Sequence, residues 1–226
     1  FAGDTVRGLN MQERMTLSNM SAEMGAQVGL IAPDETTVAY LSSKGVPADD
    51  LRGIAQWATD EGAALEDHVF KATDLAPQVA APHSPANTKD VGHFVGLELN
   101  VAYLGACTGA KLEDLRAAAQ VLKGRKVASS MRLLVAPASA REQAQAAQEG
   151  TLQTLVDAGA QVLPNTCGIC AGYGGHFEEG ARVISSTARN FKGRMGPASV
   201  DVYLASPWTV AASALRGKIS DVREVL

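Results

Sequence analysis

Aromatic residues are scarce in this chain, at 5% of 226 positions, and cysteine is scarcer still, at three. The first shortage argues against an aromatic-packed β-sandwich. With 46% hydrophobic residues and 22 glycines it leaves an Ala/Val/Leu-packed α/β protein. An odd, small number of cysteines argues against a secreted disulfide framework and for a reducing compartment. No apolar run approaches the ~20 residues of a membrane span. The opening Phe1-Ala-Gly-Asp4 carries no basic-then-apolar leader. The expectation is a cytoplasmic chain with no membrane partner, and the absent initiator Met is read as the mark of a fragment or a processed chain.

The length suffices for one large domain or two modest ones, either with a real core. The net charge of −4 is unevenly spread: residues 182–226 hold 7 of the 20 Lys/Arg and 3 of the 24 Asp/Glu. A locally basic C-terminal segment in an acidic protein suits a small anionic ligand better than a nucleic acid, which wants a broad basic face. On charge alone, a solvated surface explains it as well.

Asn10-Met-Gln-Glu13 reads as a capped helix start, with the helix running over Met11–Met24 and stopping near Gly25. A strand is expected from Val28, then a helix capped by Asp34 and reaching Lys44, then a third helix over Ala48–Ala64. Residues 72–90, with Pro77, Pro82 and Pro85, read as a linker. The expected domains are 1–78 and 79–226. Beyond the linker, strands and helices alternate: strands at Val101–Leu104, Met131–Val135, Gln161–Leu163, Val183–Ser186 and Val200–Ala205, helices at Leu112–Leu122, Ala138–Glu149, Thr151–Ala158 and Pro207–Leu215. That alternation predicts α/β layering around a largely parallel sheet.

The three cysteines sit in breaks beside apolar runs, in Gly105-Ala-Cys107-Thr-Gly109 and Cys167-Gly-Ile-Cys170. One distant thiol plus a C-x-x-C pair is incomplete for a closed four-cysteine site, and a catalytic metal needs such an open position. Spacing alone leaves an Fe–S cluster, zinc with a fourth ligand such as His176, and inert thiols as alternatives. A thioredoxin-like pair fits poorly, since the motif comes late and without the usual surroundings. Asn19 and Glu23 are four apart on an expected helix and would project from one face, either to solvent or into a site. Arg189 and Arg194 bracket a Gly-containing loop after an apolar strand. Guanidinium forks there would suit a di- or tricarboxylate, although such loops are more often solvated surface.

These stretches, together and in this order, resemble the aconitase superfamily, most closely large subunits of the 3-isopropylmalate dehydratase and homoaconitase type. The matching text runs from Val6 to Ala26, through Leu30-Ile-Ala-Pro-Asp-Glu-Thr-Thr37 and Gly105-Ala-Cys107-Thr-Gly-Ala-Lys-Leu-Glu113-Asp-Leu115, to Cys167-Gly-Ile-Cys170, Arg189-Asn-Phe-Lys-Gly-Arg194 and Ala205-Ser-Pro207.

The resemblance implies three-layer α/β/α domains and a [4Fe–4S] cluster on Cys107, Cys167 and Cys170 with one iron bare of protein ligand. It also implies a hydro-lyase/isomerase acting on an isopropylmalate-like or homocitrate-like hydroxyacid, in leucine or related amino-acid biosynthesis. Glu23 would contact the iron-bound water or hydroxyl, Asn19 would support the cluster region, and Arg189 and Arg194 would hold substrate carboxylates. Partners would be a small swivel-domain subunit and the hydroxy di- or tricarboxylate, with no nucleic acid.

Two departures stand out: Gly109 and Ala188 replace residues that are usually Asn in the family. Further catalytic residues belong, by resemblance, to an N-terminal region and to the swivel domain, so the chain by itself is expected to have little or no activity. His68, His83, His93 and His176 match none of the catalytic positions. A non-catalytic metal-binding fragment, zinc-loaded, and an RNA-binding relative are the competing expectations; the charge argues against the second.

Overall fold

A computed structural model describes residues 1–63, 66–173 and 177–226. The chain divides into two compact units, Phe1–Asp74 and Leu75–Leu226.

The first unit is helical and carries little core. It opens with α1 (Asp4–Gly8) and α2 (Met11–Met20). Asn10 caps α2 in both directions: its Oδ1 accepts from the Gln12 and Glu13 amides at 2.9 and 3.0 Å, while Glu13 Oε2 accepts from the Asn10 amide at 2.8 Å. The cap expected at Asn10 is present, but α2 ends at Met20 and tightens into a 3₁₀ turn over Ser21–Met24. The stop falls on Gly25, whose φ of 82° favours glycine.

Asp34 caps α3 (Glu35–Ser43) through the Thr37 amide at 3.2 Å. The same carboxylate takes a bidentate pair from Arg14, at 2.7 and 2.8 Å. Arg14 also donates to the Leu9 and Arg7 carbonyls, so all three guanidinium nitrogens of this buried residue are hydrogen-bonded. Two expectations fail in this unit. The strand from Val28 is absent, because no neighbouring strand is there to pair it. The helix over Ala48–Ala64 reduces to 3₁₀ turns at Ala48–Leu51 and Ile54–Gln56, interrupted at Gly53; Ala64 lies outside the described residues.

The second unit is built on a seven-stranded sheet: β1 (Gln78–Ala80), β2 (Thr88–Asp90), β3 (Val101–Gly105), β4 (Arg132–Ala136), β5 (Ala160–Val162), β6 (Arg182–Ser185) and β7 (Asp201–Ala205). The order across the sheet is β2-β1-β7-β6-β3-β4-β5. The five strands from β7 to β5 are parallel, and β1 and β2 add an antiparallel edge. Residues 72–90 are therefore no simple linker. Prolines are tolerated around an edge hairpin where they would break a central strand.

The helices are α4 (Ala106–Gly109), α5 (Leu112–Leu122), α6 (Ala140–Gln148), α7 (Thr151–Ala158) and α8 (Pro207–Arg216). Apart from α4, which lies where a loop is expected, they fall close to the expected positions, two of them on sequence-legible start signals. Ser139 caps α6, and Ser206 with Pro207 opens α8.

Strand β3 is buried along its whole length, as a central parallel strand must be. Ala102 and Leu104 face one core, which α5, α6, α7 and α8 cover with residues such as Leu115, Ala146, Leu155 and Val210. Val101 and Tyr103 face a second core with Leu134, Val183 and Val202, closed by loop residues Phe177 and Met195 and by Ile169 and Cys170. The functional loops lie on this second face.

Candidate functional site

Each cysteine- or arginine-bearing loop leaves the carboxyl end of a parallel strand. Cys107 follows β3, Cys167 and Cys170 follow β5, and Arg189 and Arg194 follow β6. From β3 the chain proceeds outward through β4 to β5, then returns to the other side of β3 to form β6 and β7. The direction of winding thus reverses between β3 and β6. Open α/β sheets place ligands in the crevice that such a reversal opens.

Ser186 stitches this crevice together. Its amide donates to the Tyr103 carbonyl at 3.1 Å, its Oγ accepts from the Gly105 amide at 3.1 Å, and its hydroxyl donates to the Gly109 carbonyl at 2.7 Å. A Cβ on Gly109 would lie 1.9 Å from the Ser186 carbonyl oxygen. The Asn expected there by resemblance is thus incompatible with this backbone, and the Cys107 turn packs tightly onto β6. Ser186 was not singled out from sequence; a serine between Ser185 and Thr187 gives no signal of its own. Ala188, the second departure, is buried.

The three cysteines are free thiols, Cys107 and Cys167 exposed and Cys170 half-buried. Cys167 precedes and Cys170 lies within a 3₁₀ turn at Gly168–Ala171. Burial pushes the Cys170 thiol up, the Arg194 guanidinium pulls it down, and the Cys107 and Cys167 thiols push it up again. Beneath them lies the Tyr103 phenol, itself driven up by burial and then by the charges of Cys170, Cys167 and Cys107, against a hydrogen bond from the Cys170 backbone. The thiols from two distant loops therefore share one electrostatic neighbourhood over Tyr103. Tyr103 was likewise missed, because in the sequence it reads only as an apolar strand position.

Arg194 Nε donates to the Cys170 carbonyl at 2.7 Å, tying the arginine loop to the cysteine turn. Arg189 is half-buried on the same loop. Between them, Asn190 is buried and its Nδ2 reaches the Ala81 and Val202 carbonyls at 2.8 and 3.0 Å, which fixes the loop's root to β1 and β7.

Asn19 and Glu23 belong to the first unit. Asn19 is exposed, at the end of α2, and lines an apolar cavity of about 580 Å³ with Met11, Met15, Val28 and Ile31. Glu23 is half-buried in the 3₁₀ turn. The shared helical face expected from their spacing is lost, since the backbone leaves α geometry at Ser21, between them. Nor is α2 a mostly buried helix: Arg14 is its one buried residue.

Among the described residues, no three His, Cys, Asp or Glu side chains converge closely enough to hold a single metal ion. Tetrahedral zinc with Zn–S near ~2.3 Å would draw its sulfurs to within ~4 Å of one another. The cysteines do not meet that requirement, and His176, the expected fourth ligand, lies outside the described residues. A cube distributes its thiolates over separate irons, so coupled but spaced thiols fit its donor chemistry. Of the other histidines, His68 and His93 are exposed, and His83 lies 3.7 Å from Asp201.

A fold and a site of this kind define a class. The family model described as aconitase family (aconitate hydratase) matches residues 1–96 and 93–217. The chain belongs to that family. Along 99% of its length it is 41% identical to the 3-isopropylmalate dehydratase large subunit of Oleidesulfovibrio alaskensis, covering 52% of that protein. Along its whole length it is 40% identical to large subunit 2 from Archaeoglobus fulgidus, covering 54%. A probable large subunit from Methanosarcina mazei is 42% identical, with 53% covered. The chain spans about half the length of these curated relatives. Among the described residues, no helix is long and apolar enough to cross a membrane.

Proposed function

We propose that this chain is the cluster-bearing portion of the large subunit of a hydro-lyase/isomerase acting on a hydroxy di- or tricarboxylate, isopropylmalate-like or homocitrate-like. Cys107, Cys167 and Cys170 would hold a [4Fe–4S] cluster. When bound, it supplies an iron free of protein ligands that acts as a Lewis acid. The observation that carries the reading is the sharing of one electrostatic neighbourhood by three free thiols at the sheet's reversal point, with Arg194 tied to the Cys170 carbonyl.

Arg194 gives Nε to that carbonyl, and its guanidinium is assigned one substrate carboxylate. Arg189, five residues earlier on a root pinned by Asn190, takes the second carboxylate. Two fixed forks orient a dicarboxylate and leave its hydroxyl-bearing carbon to the reacting centre. Glu23 is assigned the contact with the substrate hydroxyl and Asn19 the support of the cluster region. The partner is a small swivel-domain subunit, the setting is the cytoplasm, and the chain alone has little or no activity.

Anaerobic purification and reconstitution test this reading. We expect iron and sulfide at about four each per chain with broad visible absorption, and loss of both in Cys107→Ser. Stoichiometric zinc, or cluster uptake indifferent to Cys107, would overturn it.

A further inference from the structure

Lys111 is the last residue before α5 and, with Arg14, one of two buried cations among the described residues, at 8% exposure. Lysine seldom goes inside, because its ammonium gives up strong hydration. Here the stem runs inward and Nζ donates at 3.1 Å to the carbonyl of Thr108, the residue after Cys107. That carbonyl belongs to α4, a four-residue turn in which few backbone groups find helical partners. The Lys111 amide donates to Asp114 Oδ2 at 3.0 Å, the Leu112 amide donates to Glu142, and the Ala138 amide donates to the Ala110 carbonyl at 2.8 Å. The backbone at 110–112 is thereby fixed from α5, from α6 and from the loop before α6. Burial pushes the Lys111 ammonium down from its ordinary range, and the charges of Asp114, Cys107 and Glu142 act against that to keep it protonated.

Two side chains thus hold the Cys107 turn: Ser186, just after β6, through the Gly109 carbonyl, and Lys111, just before α5, through the Thr108 carbonyl. Only the second brings a charge. A thiolate-ligated cluster is a net anion, and net charge and nearby dipoles set its potential.

We propose that Lys111 is a positioning residue for the cluster: it holds the Cys107 turn through the Thr108 carbonyl and supplies the buried positive charge that stabilises the cluster's reduced state. This rests on the cluster reading above and adds to it a residue and a property that the thiols alone do not supply.

The test is a dithionite titration of the reconstituted protein, followed by visible absorption and electron paramagnetic resonance, for wild type, Lys111→Met and Lys111→Arg. Methionine keeps the stem and removes both donor and charge. We expect it to shift the reduction equilibrium about tenfold toward the oxidised cluster, ~59 mV for one electron, and arginine to restore it. A merely structural lysine would leave the reduction equilibrium within about twofold of wild type, and that result overturns the inference. So would an arginine variant that behaves like methionine.

If Lys111→Met folds by circular dichroism but no longer retains the cluster while Lys111→Arg does, the positioning role stands. If the methionine variant misfolds, Lys111→Gln, which removes the charge but keeps a donor, tests the charge by itself: a similar shift is expected, and a wild-type equilibrium would overturn the inference. Should wild type itself take up no iron and sulfide, it is the cluster reading that fails, and the titration never begins. In that event the positioning claim falls with it.

Discussion

The two units of this chain are stabilised by different physics. Residues 75–226 bury two apolar clusters, one on each face of the sheet, with Leu104, Leu115, Leu133 and Leu155 on one side and Tyr103, Leu134 and Met195 on the other. In residues 1–74, Leu51 and Ile54 are the only buried hydrophobics among the described residues, and Arg14 and Ser21 are buried as well. Val28, Leu30, Trp57, Val69 and Phe70 are exposed there. The first unit is ordered by caps and one bidentate ion pair, which organise a backbone but contribute little net free energy. The second rests on burial, the dominant favourable contribution.

The sharpest way to break this contrast is to separate the units. Expressed alone, residues 75–226 should unfold in urea through one cooperative transition, and residues 1–74 should show none. A cooperative melt of the shorter piece would refute the account.

Next in size is the Arg14–Asp34 pair. Asp34→Ala strands a buried guanidinium and removes the cap of α3, a loss of about 3–5 kcal/mol. Hydrogen exchange read by mass spectrometry should show protection lost over residues 1–45 and kept over 101–122. The same pair gives a pH signature. The Arg14 guanidinium holds the Asp34 carboxyl at about 2, below its ordinary 3.8. A depressed carboxyl stabilises the fold above its unfolded pKa, and that contribution fades as the pH falls from about 4 toward 2. Glu149, held at about 2 by Arg116, titrates over the same range in the second unit, but there a core remains when the pair is gone. Between pH 4 and 2 the first unit should therefore lose exchange protection before the second.

The smallest expected effect is at Asn10. Its replacement by Ala removes the two-way cap of α2 at about 1 kcal/mol. Faster exchange confined to Gln12, Glu13 and Arg14 would match; no change would mean that the cap is redundant with the Arg14 contacts.

Legibility from sequence followed the same division. In the second unit every strand and helix expected beyond residue 100 is present within about two residues, because burial, caps and turn residues all favour one answer there. In the first unit the caps at Asn10 and Asp34 were legible, but the strand from Val28 and the helix over Ala48–Ala64 were not fulfilled. An apolar run has no strand to form without a partner edge, and Gly53 interrupts the second. The linker expected over residues 72–90 fails for a related reason: three prolines look like a linker until an edge hairpin is known to tolerate them. Glu23 shows how a four-residue spacing loses its meaning once an α-helix tightens to 3₁₀.

By itself the sequence determined the chemistry available: three thiols, two arginines after an apolar strand, and the periodicities of an α/β layer. Those follow from residue type and local spacing, which the chain carries wherever it goes. Only the tertiary structure decided that β6 returns beside β3, and with it that Ser186 clasps the Cys107 turn, that the Tyr103 phenol feels all three thiols and that Lys111 is buried against the Thr108 carbonyl. Strand order is a long-range choice made by packing two faces of one sheet, and no local pattern encodes it.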